Sequence, residues 1–264
     1  MDYQDYQRAL QFDKRVSGMV AMQSLMQILV DELDPEENDN VLDAGTGTGR
    51  LGIALHTIIP HGSITGIDSG YGMLRVAKEK IDTYQVDNFF LVLGRAGVLP
   101  FLSGVFDSAC LMFSFHHFTD PEKALGEIYR TVKAGGYLVS VDPVLKEATN
   151  EEEKRLNKVI EQAFQLDHGP EFRFFTVTEM QKLYEDAGFS IETCQVYDFP
   201  FNQMPIEEVP MGPHWLQAYE LLQSTQEKSL IKRFERNYFT FRKRGSRLLV
   251  KGKMSWAVVK AVKS

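Results

Sequence analysis

The run Asp43-Ala44-Gly45-Thr46-Gly47-Thr48-Gly49-Arg50 follows an apolar stretch and opens a helical pattern. Glycines at a strand-to-helix turn allow positive φ and let the backbone touch a ligand where helix N–H groups point outward. Further on, Ile64-Thr65-Gly66-Ile67-Asp68 puts a carboxylate at the carboxyl end of the next strand-like run. An acid there can accept hydrogen bonds from both ribose hydroxyls of an adenosine-containing cofactor. Taken singly, the glycines fit a plain tight turn and Asp68 a solvated one. The pair in this order points to a nucleoside site. The glycines are spaced G-x-G-x-G with Arg50 next, not the G-x-G-x-x-G on which a dinucleotide pyrophosphate rests, so a nicotinamide dehydrogenase is a distant alternative.

A second group able to do chemistry is His116-His117, after the apolar run Phe106 to Phe113. Imidazole titrates near working pH and suits a general base. Sequence neighbours point in different directions, so at most one of the two is expected to face a substrate, and the other reading is that they order the loop. His168 and His214 read as surface or turn residues. No C-x-x-C or H-x-x-x-H spacing occurs, so no metal site is expected.

The elements that must hold these groups are visible between residues 41 and 142. The runs VLDAG, SITGID, FFLVLG, FDSACLMF and YLVSVD alternate with helical patterns such as MLRVAKEKIDTY and PEKALGEIYRTV. Strands alternating with helices mean a parallel sheet covered on both faces, and near-continuously apolar strands agree. Before the sheet, Met19, Met22, Met26, Leu29 and Leu33 recur at helical spacing, with Pro35 as the stop. After it, Leu156, Ile160 and Phe164 mark a helix that His168-Gly169-Pro170 ends, and Thr176 to Glu179 reads as a capping box.

The glycine loop resembles motif I of class I S-adenosylmethionine (SAM)-dependent methyltransferases. Asp68-Ser69-Gly70-Tyr71-Gly72-Met73-Leu74 resembles that family's acidic turn with its adenine-covering methionine, and Leu99-Pro100-Phe101 with Phe106-Asp107 the segment that follows. His116-His117-Phe118-Thr119-Asp120-Pro121, Leu125 to Val132 and Lys133-Ala134-Gly135-Gly136-Tyr137 resemble the ubiquinone/menaquinone-biosynthesis-type branch. The resemblance covers residues 41 to 143 and continues faintly through Ala187-Gly188-Phe189. It implies SAM as cofactor, S-adenosylhomocysteine as product, and Asp43, Gly45, Thr46 and Gly47 as the cofactor loop. It also implies Asp68, Ser69 and Met73 around the adenosine, with Ala96 and Phe113 nearby. Arg95 stands where the family has an acid that meets the adenine amino group; guanidinium cannot accept that bond but can stack on a ring.

The resemblance further implies a doubly wound, seven-stranded α/β Rossmann-like sheet, a single domain over residues 1–264, and a last strand antiparallel to the rest. Segments 1–35, 144–172 and 201–252 are expected to form a helical lid over the carboxyl edge of the sheet. Residues 201–252 should carry helices of their own, with stripes Leu216-Tyr219-Leu222 and Leu230-Phe234-Tyr238. The lid aromatics Phe172, Phe174, Phe175, Phe199, Phe201, Trp215, Tyr219, Phe234, Tyr238, Phe239 and Phe241 serve mostly as lid core, with a few left to line an apolar pocket.

Methyl transfer from a sulfonium needs alignment and exclusion of water above all. Aligned reactants supply ~7 to 11 kcal/mol in the best cases, and a base such as His116 or His117 is required only if the acceptor must lose a proton. The expected activity is methylation of a small molecule, planar or hydrophobic. Two alternatives stay open: RNA methylation through the basic run 242–253, and SAM binding without transfer. A net charge of −7 speaks against a broad nucleic-acid surface, and the run also fits a solvated face. No stretch is long and apolar enough to span a membrane, no secretory leader is visible, and Cys110 and Cys194 sit in apolar runs, so a cytoplasmic protein without a disulfide is expected.

Overall fold

The structure, a computed structural model, describes residues 3–264; the first two residues of the expected lid segment 1–35 lie outside it. Five strands are parallel: β1 (Asn40–Ala44), β2 (Ser63–Asp68), β3 (Phe89–Leu93), β4 (Phe106–Met112) and β5 (Val132–Val144). Their order across the sheet is β3-β2-β1-β4-β5. β8 (Arg247–Lys263) lies antiparallel against β5, and β6 (Phe189–Pro205) antiparallel against β8. This is the seven-strand path expected.

Adjacent strand residues point to opposite faces, and each face has its own core. Val41, Cys110, Val139 and Val258 pack with α2 (Val20–Leu33), α3 (Arg50–Leu55) and α6 (Glu151–His168). Leu42, Ala109, Leu138 and Val259 pack with α5 (Pro121–Thr131) and α7 (Val177–Asp186). Burial on both faces is why these strands read as unbroken apolar runs. The predicted caps form: Thr176 Oγ1 accepts from Glu179 N, Glu179 Oε2 accepts from Thr176 N, and α6 ends at Gly169.

The C-terminal region departs from expectation. β6 and β8 each run 17 residues, well past the end of β5. On the β8 edge that β5 leaves open, an eighth strand, β7 (Phe239–Arg244), pairs from Phe239↔Gly252 to Arg244↔Arg247. The turn is Gly245-Ser246, with Gly245 at φ 61. The basic run is therefore a β-hairpin rather than part of a helical lid, and the alternation of Phe239 and Phe241 with Thr240 and Arg242 was its signal. Before it come α8 (Gly212–Ser224) and α9 (Lys228–Asn237). α9 buries Leu230 and Phe234, and Tyr238 follows, as its stripe predicts. On α8 the predicted stripe is half right: Leu222 is buried and Leu216 and Tyr219 pack partly buried against the core, but the fully covered face is centred on His214, Trp215, Ala218 and Leu222.

Two further helices, α1 (Tyr6–Ser17) and α4 (Tyr71–Tyr84), pack on each other beside β3 and the glycine loop. Among the described residues no helix is long and apolar enough to cross a membrane.

Candidate active site

β1 sits where the strand order reverses, with β2 and β3 on one side and β4 and β5 on the other. Ligands of doubly wound sheets bind outside the carboxyl ends of the strands at that point. The glycine loop leaves β1 there, and Gly45 N and Thr46 N donate to Ile67 O at 2.8 and 3.1 Å, fastening the loop to the end of β2. Gly45 has φ 80, and a Cβ on it would lie 2.4 Å from Ser114 Cβ, so both backbone and space require glycine. Gly47, at φ 54, is the opposite case: a Cβ there would meet nothing within 4 Å, so bare backbone faces open space.

Two carboxylates flank the loop. Asp68 Oδ2 accepts from Gly47 N at 2.8 Å, and Oδ1 from Gly70 N at 2.7 Å. Burial raises its pKa above the usual carboxylate range, and these backbone donors counter part of that rise. Asp43, 1% exposed on β1, accepts from Thr46 Oγ1 at 2.6 Å. Burial pushes its carboxyl up to about 7, with the charge on Asp68 adding to the rise.

At the end of β4 the chain turns sharply. Phe113 has φ 56, a left-handed conformation rarely taken by an aromatic residue, and its N–H donates to Val141 O at 2.9 Å. A short 3-10 turn, Phe115–His117, follows. Asp142 on β5 organises it: Oδ2 accepts from Phe115 N at 2.9 Å, and Oδ1 accepts from His116 Nδ1 at 2.5 Å. His116 and His117 stand with ring centroids 4.1 Å apart, and both border the same space. The expectation that only one would face inward is corrected, because the tight turn keeps neighbouring side chains on one side. Tyr3 Oη lies 3.2 Å from His117 Nε2. Burial and the adjacent imidazoles hold the His117 pKa well below its ordinary value, so the ring is neutral at pH 7.

These groups border one cavity of about 530 Å3. Around it stand Asp43, Gly45, Thr46, Gly47, Asp68, Ser69, Met73, Arg95, Ala96 and Phe113, together with both histidines, so the structure brings every sequence-derived candidate to one place. Arg95 is exposed at the rim, tied through its backbone to Val98. Sequence reasoning missed part of the wall. Asp142, which lies behind the wall and holds His116, gave no signal, being in an apolar strand. His168 and His214, read as surface or turn residues, also border the cavity; the i, i+4, i+8 series His214, Ala218, Leu222 was the overlooked sign that His214 faces inward.

The lid aromatics are a further correction, because none of the eleven singled out borders the cavity, and most are core. The apolar wall comes instead from Phe12, Val16, Met19 and Met22, with Met211 and Trp256. From the insertion only Pro210, Met211 and His214 reach it. The basic run does not border the cavity; Arg242, Lys243, Arg244, Arg247 and Lys251 are exposed along the hairpin, and Lys253 pairs with Asp198.

Comparison with known proteins gives the geometry a family. A demethylmenaquinone methyltransferase of Thermus thermophilus is 39% identical over 102 residues, 39% of this chain and 46% of that protein. The chain thus spans about half the length of this curated relative. In fold, the YcgJ protein of Bacillus subtilis superposes with a TM-score of 0.72 at 20% identity, covering 90% of this chain and 97% of that one. Geranyl diphosphate C-methyltransferase of Streptomyces coelicolor, solved with Mg2+, geranyl diphosphate and S-adenosyl-L-homocysteine, gives 0.59 at 15% identity, covering 92% and 79%. The family model for the methyltransferase domain matches residues 35–211, more than half of the sequence, and the chain belongs to that family.

Proposed function

We propose that this chain transfers a methyl group from SAM to a small-molecule acceptor. The observation that carries the reading is the single cavity joining the Gly45–Gly47 loop and Asp68 to an apolar wall that bears imidazoles. The residues fit the cofactor: Gly47 presents bare backbone to open space, and Asp68 stands at the end of β2. When bound, SAM supplies a methyl group on an electron-poor sulfonium.

The chain's own residues divide the remaining work. Asp68 accepts the ribose hydroxyls, and Met73, Ala96 and Phe113 offer apolar surface to the adenine, with Arg95 stacking at the rim. Asp43 sets negative charge beneath the loop that holds a cationic cofactor. His116, oriented through Nδ1 by Asp142, takes the proton from an acceptor that must lose one, at Nε2. Phe12, Val16, Met19 and Met22 keep water from the reacting atoms. We read the chain as cytoplasmic, with Cys110 and Cys194 as free thiols.

A thermal-shift titration tests the reading. SAM or S-adenosylhomocysteine at about 100 times its dissociation constant should stabilise the fold by ~2.7 kcal/mol, and NAD should not. Stabilisation by NAD alone would overturn it.

A further inference from the structure

The cavity accounts for the glycine loop and the histidines, but not for the basic hairpin. Its two strands, β7 and the start of β8, carry Arg242, Lys243, Arg244, Arg247 and Lys251 with no acid among them, on a chain whose net charge is −7. All five residues are exposed. None has an ion-pair partner among the described residues. Asp198, on the neighbouring strand, is taken by Lys253, and Glu207 and Glu208, just past the end of β6, pair with none of the five.

The register sorts these charges by side. Residues paired across antiparallel strands project to the same side of the sheet, and neighbours along a strand to opposite sides. Phe239↔Gly252 and Phe241↔Val250 therefore share one side, and Lys243↔Leu248 extends it to the tip. Phe239 and Val250 are buried there, and Phe241 packs on Tyr219 of α8 and Phe234 of α9. The other side carries Thr240↔Lys251, Arg242↔Leu249 and Arg244↔Arg247. It continues the face of β8 on which Ala257 and Val259 lie in the core. Past the pair Val144↔Ser255, where β5 ends, that face opens to solvent. At about 7 Å per two residues along a strand, its four cations surround the half-buried Leu249 in a patch about 14 Å long.

The kind of partner follows from what the outer side has and lacks. Its charge calls for an anion. Single-stranded nucleic acid is held by aromatic platforms set beside the cations, and the aromatics of this hairpin, Phe239 and Phe241, both turn inward. The outer side offers instead arginine and lysine heads on long apolar stems around a leucine. At a lipid interface such stems lie along the boundary with their charge at headgroup level, and an apolar residue between them meets the acyl region. A chain that is acidic elsewhere is repelled by an anionic plane, which leaves this side to face it.

We propose that the outer side of the 239–252 hairpin docks the chain on the surface of an anionic lipid bilayer, through Arg242, Arg244, Arg247 and Lys251 with Leu249 at their centre. β6 leaves this patch at Pro205, paired with Leu249, and the chain runs on through Ile206–Glu208 to Pro210, Met211 and His214 at the cavity. The docking surface and one edge of the cavity thus lie on one continuous segment.

Sedimentation of the full chain with vesicles tests the proposal. Vesicles of phosphatidylcholine with about 30% phosphatidylglycerol should bind the chain, phosphatidylcholine alone should not, and raising the salt from about 0.05 to 0.5 M should release it. Each cation near such a surface counts for about fivefold, so Arg244→Gln/Arg247→Gln should weaken binding about 25-fold. Lys78→Gln/Lys154→Gln, which removes as much charge from α4 and α6, should stay within about twofold. In the unmutated chain, trace acetylation should slow at Lys251 when anionic vesicles are added and stay unchanged at Lys78. Absence of binding to the anionic vesicles, equal binding to phosphatidylcholine alone, a loss in the Arg244/Arg247 variant no larger than in the Lys78/Lys154 variant, or unslowed acetylation of Lys251 overturns the proposal. So does a single- or double-stranded RNA that binds more tightly than the vesicles at equal phosphate concentration, which would make this side a nucleic-acid surface.

Discussion

Asp43 carries a carboxyl that folding drives out of water. Its raised pKa, about 7, fixes the sign of two pH effects. Between about pH 4 and 7 the unfolded chain ionises this group while the folded chain keeps its proton, so its contribution to stability falls as pH rises through that window and is level above it. A cationic cofactor set against the loop favours the ionised form. Affinity for SAM should therefore climb, by up to about tenfold per pH unit, from pH 5.5 to 7 and then level off. Asp68, whose pKa is also raised, pushes the same way, so Asp43→Asn should remove most but not all of the slope. Calorimetric titrations across this range check it, and a flat profile in the unmutated chain would mean that Asp43 does not respond to the cofactor. The identity of Asp43, Gly45, Gly47 and Asp68 as site residues was legible because each sits at a sequence landmark, a strand end or a glycine turn. The tuning of Asp43 was not, since it arises from burial among the neighbouring strands and from the charge on Asp68, against the opposing bond from Thr46 Oγ1.

Among the elements, α1 shows how a helix can be fixed by one buried polar knot. Asp13, 7% exposed, accepts from Thr48 Oγ1 at 2.6 Å and pairs with Lys80, which also donates to Thr48 O at 3.2 Å. Arg50 Nη1 adds a bond to Ser17 Oγ at 3.0 Å. The knot joins α1 to the glycine loop and to α4. Asp13→Ala strands a half-buried ammonium and a buried hydroxyl, a loss of about 2 kcal/mol, below the ~3 to 5 kcal/mol of a fully buried pair because Lys80 keeps some contact with water. Because α1 rests mainly on α4 and α2, the loss should appear as local undocking. Limited proteolysis should cut within residues 3–18 more readily, and cofactor should leave faster, with little change in the melting of the sheet. Unchanged cleavage and release would show the knot to be incidental. Asp13 gave no sign of this in the sequence, because its partners are 35 and 67 residues away. The parallel strands, the capping box at Thr176 and the end of α6 were legible for the converse reason, being set by neighbours along the chain. The 239–252 hairpin lay between: its alternation was present, but the density of charge disguised it.

At the scale of the whole molecule, the fold divides the two ends of the cavity between different parts of the chain. The sheet edge supplies the cofactor end, and segments outside the parallel sheet supply the cover. Length and aromatic content made residues 201–252 look like that cover. Most of this segment is committed elsewhere: Trp215 stacks on Tyr238 at 5.2 Å, Phe164 meets Trp215 at 5.3 Å, and Phe234 and Phe239 are fully buried among them. Such a core has little freedom to open. The remaining wall is the N-terminal segment with Tyr3, Phe12, Val16, Met19 and Met22, together with the short stretch Pro210 to His214. Within that stretch Met211 holds φ 54, a strained conformation at the start of α8. Closure over ligand should therefore be confined to these parts. Under saturating S-adenosylhomocysteine, hydrogen exchange should slow in residues 3–22, in 206–214 and in the glycine loop, and stay unchanged in 216–241. Protection that rises in 216–241 while 3–22 is unaffected would return the role of cover to the insertion, and would mean that the aromatic core there loosens and tightens as the cavity empties and fills.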